Sequence, residues 1–183
     1  MKNKKINLRY GENPNQAAYL ISKTKESIFD FQVGGKKISY NNIIDVDSGL
    51  KCLGEFSEPT SIIIKHTNPC GVASANKILN AFVKSYNSDP KSAFGGIILL
   101  NRKVNSKLAK EIFKYFFEIV VAPSFDNSAL KILQKKKNLI LLRIPKIKFN
   151  TLEYKSTNFG DLYQTCDLTQ INKQFLTLVS EKK

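Results

Sequence analysis

The chain has no tryptophan, one methionine, one histidine and three cysteines in 183 residues. The cysteines, Cys52, Cys70 and Cys166, are odd in number, widely spaced and include no Cys-x-x-Cys pair. That pattern argues against a disulfide framework and against a thiolate zinc site. No apolar stretch approaches the ~20 residues needed to span a bilayer, so no membrane is expected as a partner. The opening Met1-Lys2-Asn3-Lys4-Lys5 lacks the apolar segment of a secretory signal. A reducing cytoplasm is the expected compartment.

What is present is a hydrophobic fraction of 42% and a formal charge of +14. A chain of this length can bury a real core. The charge invites a nucleic-acid reading, but 26 of the 29 basic residues are lysines spread along the whole chain. Lysine, asparagine and isoleucine make up 62 of the 183 residues, the mark of an AT-rich coding sequence. Without an aromatic-interleaved basic motif, no nucleic acid is expected as a partner. A basic surface still attracts phosphorylated small molecules.

Residues 7–40 are rich in Gly, Asn and Pro and read as an irregular arm with short strands. Helix and strand then alternate. A helix is expected over 46–56, with Asp47 or Ser48 as its cap, and a buried strand over 60–64. Ile78, Leu79, Phe82, Val83 and Tyr86 share one face of a helix over 76–86. A strand over 96–100 precedes a helix over 106–117 that turns Leu108, Ile112, Tyr115 and Phe116 inward. Then follow a strand over 119–122, a helix over 127–136 and a strand over 138–144. Strands separated by such helices build a largely parallel sheet covered on both faces. Beyond Pro145 the pattern breaks down, and 179–183 look like a tail.

The densest chemistry is Lys65-His66-Thr67-Asn68-Pro69-Cys70-Gly71, directly behind the apolar run Ser61-Ile62-Ile63-Ile64. Side chains and free backbone groups converge at strand ends. A histidine is the natural general base for a weakly nucleophilic amine, and an adjacent ammonium stabilises an oxyanion on the acceptor. The plain alternative is a satisfied polar residue in a loop. Arg9-Tyr10-Gly11-Glu12-Asn13-Pro14 offers a guanidinium for a phosphate and a ring for stacking, or an ordinary turn. Ser92-Ala93-Phe94-Gly95-Gly96 offers an aromatic among small residues, either a seat for a planar ligand or a tight turn into a strand. Glu118 heads the strand over 119–122, as an acceptor for an amine or as a solvated charge. Cys70 is a nucleophile candidate beside His66, with no third orienting group evident, or a structural thiol.

Together these segments, with Ser39-Tyr40-Asn41-Asn42 and Val120-Val121-Ala122-Pro123, occur in the order and spacing of one family. They resemble the formyltransferase domain of the bifunctional purine-biosynthesis proteins, which join AICAR (5-aminoimidazole-4-carboxamide ribonucleotide) formyltransferase to IMP cyclohydrolase. The resemblance runs from about Asn7 to the C-terminus. Asn15 departs from a histidine common after the Asn-Pro pair, and Glu118 stands where an aspartate is usual. Asn158-Phe159-Gly160-Asp161 stands where the family has a Gly-Gly pair.

The resemblance implies a three-layer α/β/α cytidine-deaminase-like fold without the zinc, so no metal is expected. Residues 1–45 would form an N-terminal arm with the nucleotide loop and 46–150 the first subdomain. Residues 151–183 would extend towards a second subdomain that, like the cyclohydrolase, is expected to lie outside this chain. It implies Lys65 and His66 as the catalytic pair, and Arg9, Tyr10, Asn68, Phe94, Gly95 and Glu118 as substrate-binding. His66 would take a proton from the 5-amino group of AICAR as it attacks the formyl carbon of 10-formyltetrahydrofolate. That folate is a cosubstrate; no bound cofactor is implied. A homodimer is expected, and a companion chain is a further expected partner. The alternatives are a nucleotide-binding fragment without turnover and a zinc hydrolase, though the His/Cys/Cys set with its Glu is missing from the sequence.

Overall fold

A computed structural model describes residues 4–22, 25–145 and 152–167, and the single positions 169, 174, 177 and 179. The chain divides into two compact units, residues 1–147 and 148–183. In the first unit β1 (Lys4–Asn7) and β2 (Tyr19–Ser22) pair antiparallel as an arm. A short 3-10 turn leads into β3 (Gln32–Gly34), and α1 (Tyr40–Gly54) follows. Next come β4 (Thr60–Lys65), β5 (Asn68–Ser74), α2 (Ile78–Ser88) and the single turn α3 (Pro90–Ala93). The unit closes with β6 (Ile97–Leu100), α4 (Ser106–Phe113), β7 (Ile119–Ala122), α5 (Asn127–Leu133) and β8 (Ile140–Arg143).

Six strands form one sheet in the order β3-β8-β7-β6-β4-β5. Only β6–β7 and β7–β8 are parallel; β4 runs antiparallel to both β5 and β6, and β3 antiparallel to β8. The three-layer α/β architecture is as the sequence suggests, but the sheet is mixed rather than largely parallel. The reason is local. Residues 68–74, which carry Pro69 and Gly71 and look like a loop, fold back as β5 after a two-residue turn. The chain therefore returns through α2 and enters β6 beside β4 in the opposite sense.

Side chains alternate across this sheet even where the sequence reads as an unbroken apolar run. Ile63, Ile98, Leu100, Val120, Ala122 and Leu141 face one layer, with Phe82 of α2, Leu108 and Ile112 of α4 and Leu133 of α5. Ile62, Ile64, Ile97, Leu99, Ile119, Val121, Ile140 and Leu142 face the other, against Val46 and Leu53 of α1. All are buried on both faces, each large side chain contributing about 2 kcal/mol relative to exposure.

Helix α1 starts six residues earlier than 46, because Ser39 rather than Asp47 or Ser48 caps it. The Ser39 hydroxyl accepts from the Asn42 amide at 3.2 Å, and Asn42 Oδ1 accepts from the Ser39 amide at 3.2 Å. This capping box closes two of the free donors of the first turn. Helix α4 stops at Phe113, so Phe116 points outward at 50% exposure rather than inward. Val83 of α2 likewise faces solvent, while Ala81, Phe82 and Ser85 take the inner face.

In the second unit β9 (Leu152–Thr157) and β10 (Gly160–Thr165) form an antiparallel hairpin where no regular element was expected. Its cross-strand pair Tyr154–Tyr163 stacks with centroids 5.9 Å apart. The expected tail over 179–183, apart from Val179, lies outside the described residues.

Candidate functional site

Because β4 is antiparallel to β6, its C-terminal end meets the N-terminal ends of β6 and β7, with Ile64 beside Ile97 and Ile97 beside Ile119. A cavity of about 590 Å³ opens at that edge, within the range of small-molecule sites. It is lined by Arg9, Tyr10, Lys65, His66, Phe94, Gly95 and Glu118, together with Lys36, Lys37, Asn41, Asn42 and Asp45. Seven of the eight residues named from the sequence thus meet in one place. The eighth, Asn68, does not line the cavity; its amide nitrogen donates to the His66 carbonyl at 2.8 Å and so braces the turn.

Each segment reaches the cavity for a local reason. The loop between β1 and β2 is closed by Leu8 N–H donating to Ala18 O at 2.9 Å and Gly11 N–H to Gln16 O at 2.8 Å. Asn41 of α1 donates to the Glu12 carbonyl at 3.2 Å, which holds that loop over the start of α1. Arg9 is exposed there, its guanidinium 5.6 Å from the Tyr10 ring centroid. The first turn of α1 faces the same space and adds the partial positive charge of a helix N-terminus.

Lys65 ends β4 and donates from Nζ to the Phe94 carbonyl at 2.9 Å. Phe94 follows α3, whose cap is Asp89: its carboxylate accepts from the Ser92 amide at 2.9 Å and the Ser92 hydroxyl at 2.6 Å. Those bonds hold the Asp89 carboxyl below the usual carboxylate value, the Ser92 hydroxyl being the larger cause. Gly95 then turns with φ +73°, a conformation that favours glycine, and its amide donates to Phe116 O at 2.9 Å. Phe94, on the cavity wall, is 63% exposed and lies 5.0 Å from Phe116, which stands outside the lining. Glu118 accepts from Asn42 Nδ2 at 3.2 Å and lies 3.9 Å from Lys36 Nζ.

His66 and Thr67 are the two central residues of the β4–β5 hairpin, with φ of 52° and 64°. A two-residue turn with both φ positive is normally Asn-Gly or a relative of it. With a Cβ present each left-handed residue costs on the order of 1–2 kcal/mol, and branched Thr67 is the more strained. The hydroxyl of Thr67 donates to the His66 carbonyl at 2.6 Å, and its amide donates to Asp45 Oδ1 at 2.8 Å. Ser48 Oγ donates to the Thr67 carbonyl at 2.7 Å. The imidazole of His66 is left exposed on the cavity wall.

Cys70 takes no part in this chemistry. Burial pushes its thiol above the usual value, and Sγ donates to Ile63 O at 3.5 Å, so it is a structural thiol. Among the described residues no three His, Cys, Asp or Glu side chains gather where they could hold a metal ion. No described helix is long and apolar enough to cross a membrane.

Sequence reasoning did not single out Lys36, Lys37, Asn42 or Asp45 as site residues. Asn42 lies in the Ser39-Tyr40-Asn41-Asn42 segment, and Asp45 stands one helical turn beyond it on the same face. That signal appears once the helix is started at Tyr40.

Fold and cavity together define an α/β protein whose mixed sheet carries a cation-bordered pocket of small-molecule size at one end. The chain belongs to the AICARFT/IMPCHase bienzyme family, whose profile matches residues 1–183. It is 45% identical over 184 residues to the bifunctional purine biosynthesis protein PurH of Acetivibrio thermocellus, covering 96% of this chain and 36% of that protein. The PurH of Caldicellulosiruptor saccharolyticus is 46% identical over 184 residues, with the same coverage of 96% and 36%. The PurH of Buchnera aphidicola subsp. Schizaphis graminum is 43% identical over 187 residues, covering 98% and 36%. The chain therefore spans about a third of the length of the curated relatives it matches.

Proposed function

We propose that this chain supplies the nucleotide-binding and base-carrying half of an AICAR formyltransferase. The observation that carries the reading is the charge of the cavity rim. Four cations, Arg9, Lys36, Lys37 and Lys65, stand against two carboxylates, Asp45 and Glu118. The exposed ring of Phe94 and a lone imidazole complete the wall. Such a rim suits a phosphate, a flat heterocycle and an amine awaiting deprotonation.

In this reading Arg9 forks onto the phosphate and Tyr10 flanks the nucleotide. Phe94 and Gly95 border the imidazole carboxamide, and Glu118 accepts from its polar edge. Asn68 acts through the turn rather than on the substrate. The 5-amino nitrogen attacks the formyl carbon of 10-formyltetrahydrofolate, and His66 takes the proton that nitrogen loses. Lys65 stabilises the oxyanion. The C–N10 bond then breaks, N10 of the departing tetrahydrofolate takes up a proton, and the nucleotide leaves as its formamide. The folate is a cosubstrate, and a homodimer or a companion chain supplies the rest of its site.

A second reading is favoured by the exposure of His66 and by relatives about three times as long. The chain then binds nucleotide and turns over only with a companion. Calorimetric titration of the chain with AICAR, without folate, tests what the two readings share. Saturable binding near one site per chain is expected. No binding by a folded protein would overturn both.

A further inference from the structure

The strained turn that carries His66 is held from outside its own hairpin. Both outward-facing backbone groups of Thr67 are occupied by side chains of α1: its amide by Asp45 Oδ1 at 2.8 Å, its carbonyl by Ser48 Oγ at 2.7 Å. Asp45 and Ser48 are three residues apart and share one face of the helix. The helix is fixed in turn. A Cβ on Gly49 would lie 2.4 Å from Leu99 Cδ1 and 3.0 Å from Ile64 Cγ1, so α1 sits directly on β4 and β6. A hairpin with His and a branched Thr at its two left-handed positions has little reason to keep that shape alone.

We propose that Asp45 and Ser48 are positioning residues that hold the His66–Thr67 turn in its left-handed form and so aim the His66 imidazole at the cavity. The inference rests on the reading of His66 as the base and names what keeps that base in place. Neither residue touches the reacting atoms. Their contribution is orientation, to which a base is sensitive, because a misplacement of about 1 Å costs roughly a hundredfold in rate.

The single histidine makes the test direct, since its imidazole Cε1–H gives one signal of its kind in the NMR spectrum of the whole chain. In Asp45→Ala, and separately in Ser48→Ala, that signal should move towards the position of a free histidine. Exchange of the Thr67 amide should accelerate about tenfold or more, while the amides of Ile62, Ile63 and Ile64 keep their protection. Asp45→Asn retains the oxygen acceptor and should stay close to the unaltered protein. Adding Thr67→Gly to Asp45→Ala should restore the imidazole signal, because glycine adopts the turn without the clamp.

An imidazole signal and Thr67 exchange rate unchanged in both alanine variants would overturn the proposal. So would a loss that Thr67→Gly leaves unrescued in a variant that remains folded. Should Asp45→Ala fail to fold, Ser48→Ala alone decides. The base role is judged separately, by whether His66→Ala abolishes formyl transfer, so the clamp and the base can fail independently.

Discussion

Strand β4 and the turn that leaves it are built on opposite terms. Its body, Ile62 to Ile64, is fully buried and paired on both sides, to β5 and to β6. The tip that follows, Lys65 to Asn68, is largely exposed, lies beyond the pairing with β6 and turns through two left-handed residues into β5. The body is over-determined by contacts of low individual specificity; any branched apolar side chain of the right volume would serve. The tip depends on a few named hydrogen bonds to Asp45, Ser48 and Phe94. A rigid strand thus carries a strained end, and strain of this kind persists only where its surroundings fix it.

The largest effects should separate the two regions cleanly. His66→Ala should lower formyl transfer, measured with the transferase domain complete, by about 10²–10⁴-fold while AICAR affinity stays within a few-fold. Its unfolding free energy should hardly change. Ile63→Ala should do the reverse. It empties a site at 0% exposure under Phe82 and costs about 3 kcal/mol of stability by denaturant titration, with AICAR affinity nearly retained where the protein is folded. Should His66→Ala destabilise as much as Ile63→Ala, the division between body and tip would be wrong.

The same division explains what could be read from the sequence. The runs at 60–64, 96–100 and 119–122 are short, branched and apolar, and each is a buried strand in the structure. Burial on both faces leaves a plain composition signal. Strand β5 escaped because Asn68, Pro69 and Gly71 are turn residues by composition. Only its pairing with Thr60 to Lys65 makes it a strand, and with it the direction of β6. The start of α1 was missed because Ser39 and Asn42 cap each other reciprocally, three residues apart, ahead of any apolar period. At the site, the motifs identified the family and seven of the cavity's residues. What they could not show was that α1 would come close enough, through Gly49, to reach Thr67.

Among the rim cations, Arg9 offers a sharper but smaller test. It lies on the loop between β1 and β2, outside strand β4 and its turn, so its loss should leave both body and tip intact. Arg9→Ala should weaken the nucleotide by about 1.5–3 kcal/mol and the corresponding nucleoside by far less, since only the former offers a phosphate to the guanidinium. Calorimetry with both ligands reads the difference directly. Equal losses would move the phosphate away from Arg9 and towards Lys36 and Lys37, which share the cavity.

The smallest expected effect is on acidity, and it concerns how the tip is supported from the Phe94 side. Ser92 holds the Asp89 carboxyl below its ordinary value of 3.8, first through its hydroxyl and then through its amide. A folded-state value below the unfolded one stabilises the protein fully above the ordinary value. That stabilisation is lost as the pH falls through the folded value. Acidification below 3.8 should therefore loosen the cap of α3 and, with it, the Phe94 carbonyl that receives Lys65. Asp89→Asn keeps an oxygen acceptor for the Ser92 amide but has no proton to gain, so its melting temperature should fall less steeply in that acid window. Asp30, held below its ordinary value by Ser27, and Asp167, held below it by Thr169, add to the acid dependence in the same direction, so the comparison is best made between the variant and the unaltered protein. An identical acid slope for both would show that the α3 cap contributes nothing to stability there. The support of Lys65 would then rest on the backbone of Gly95 and Gly96 alone, through their bonds to Phe116 and Ala93.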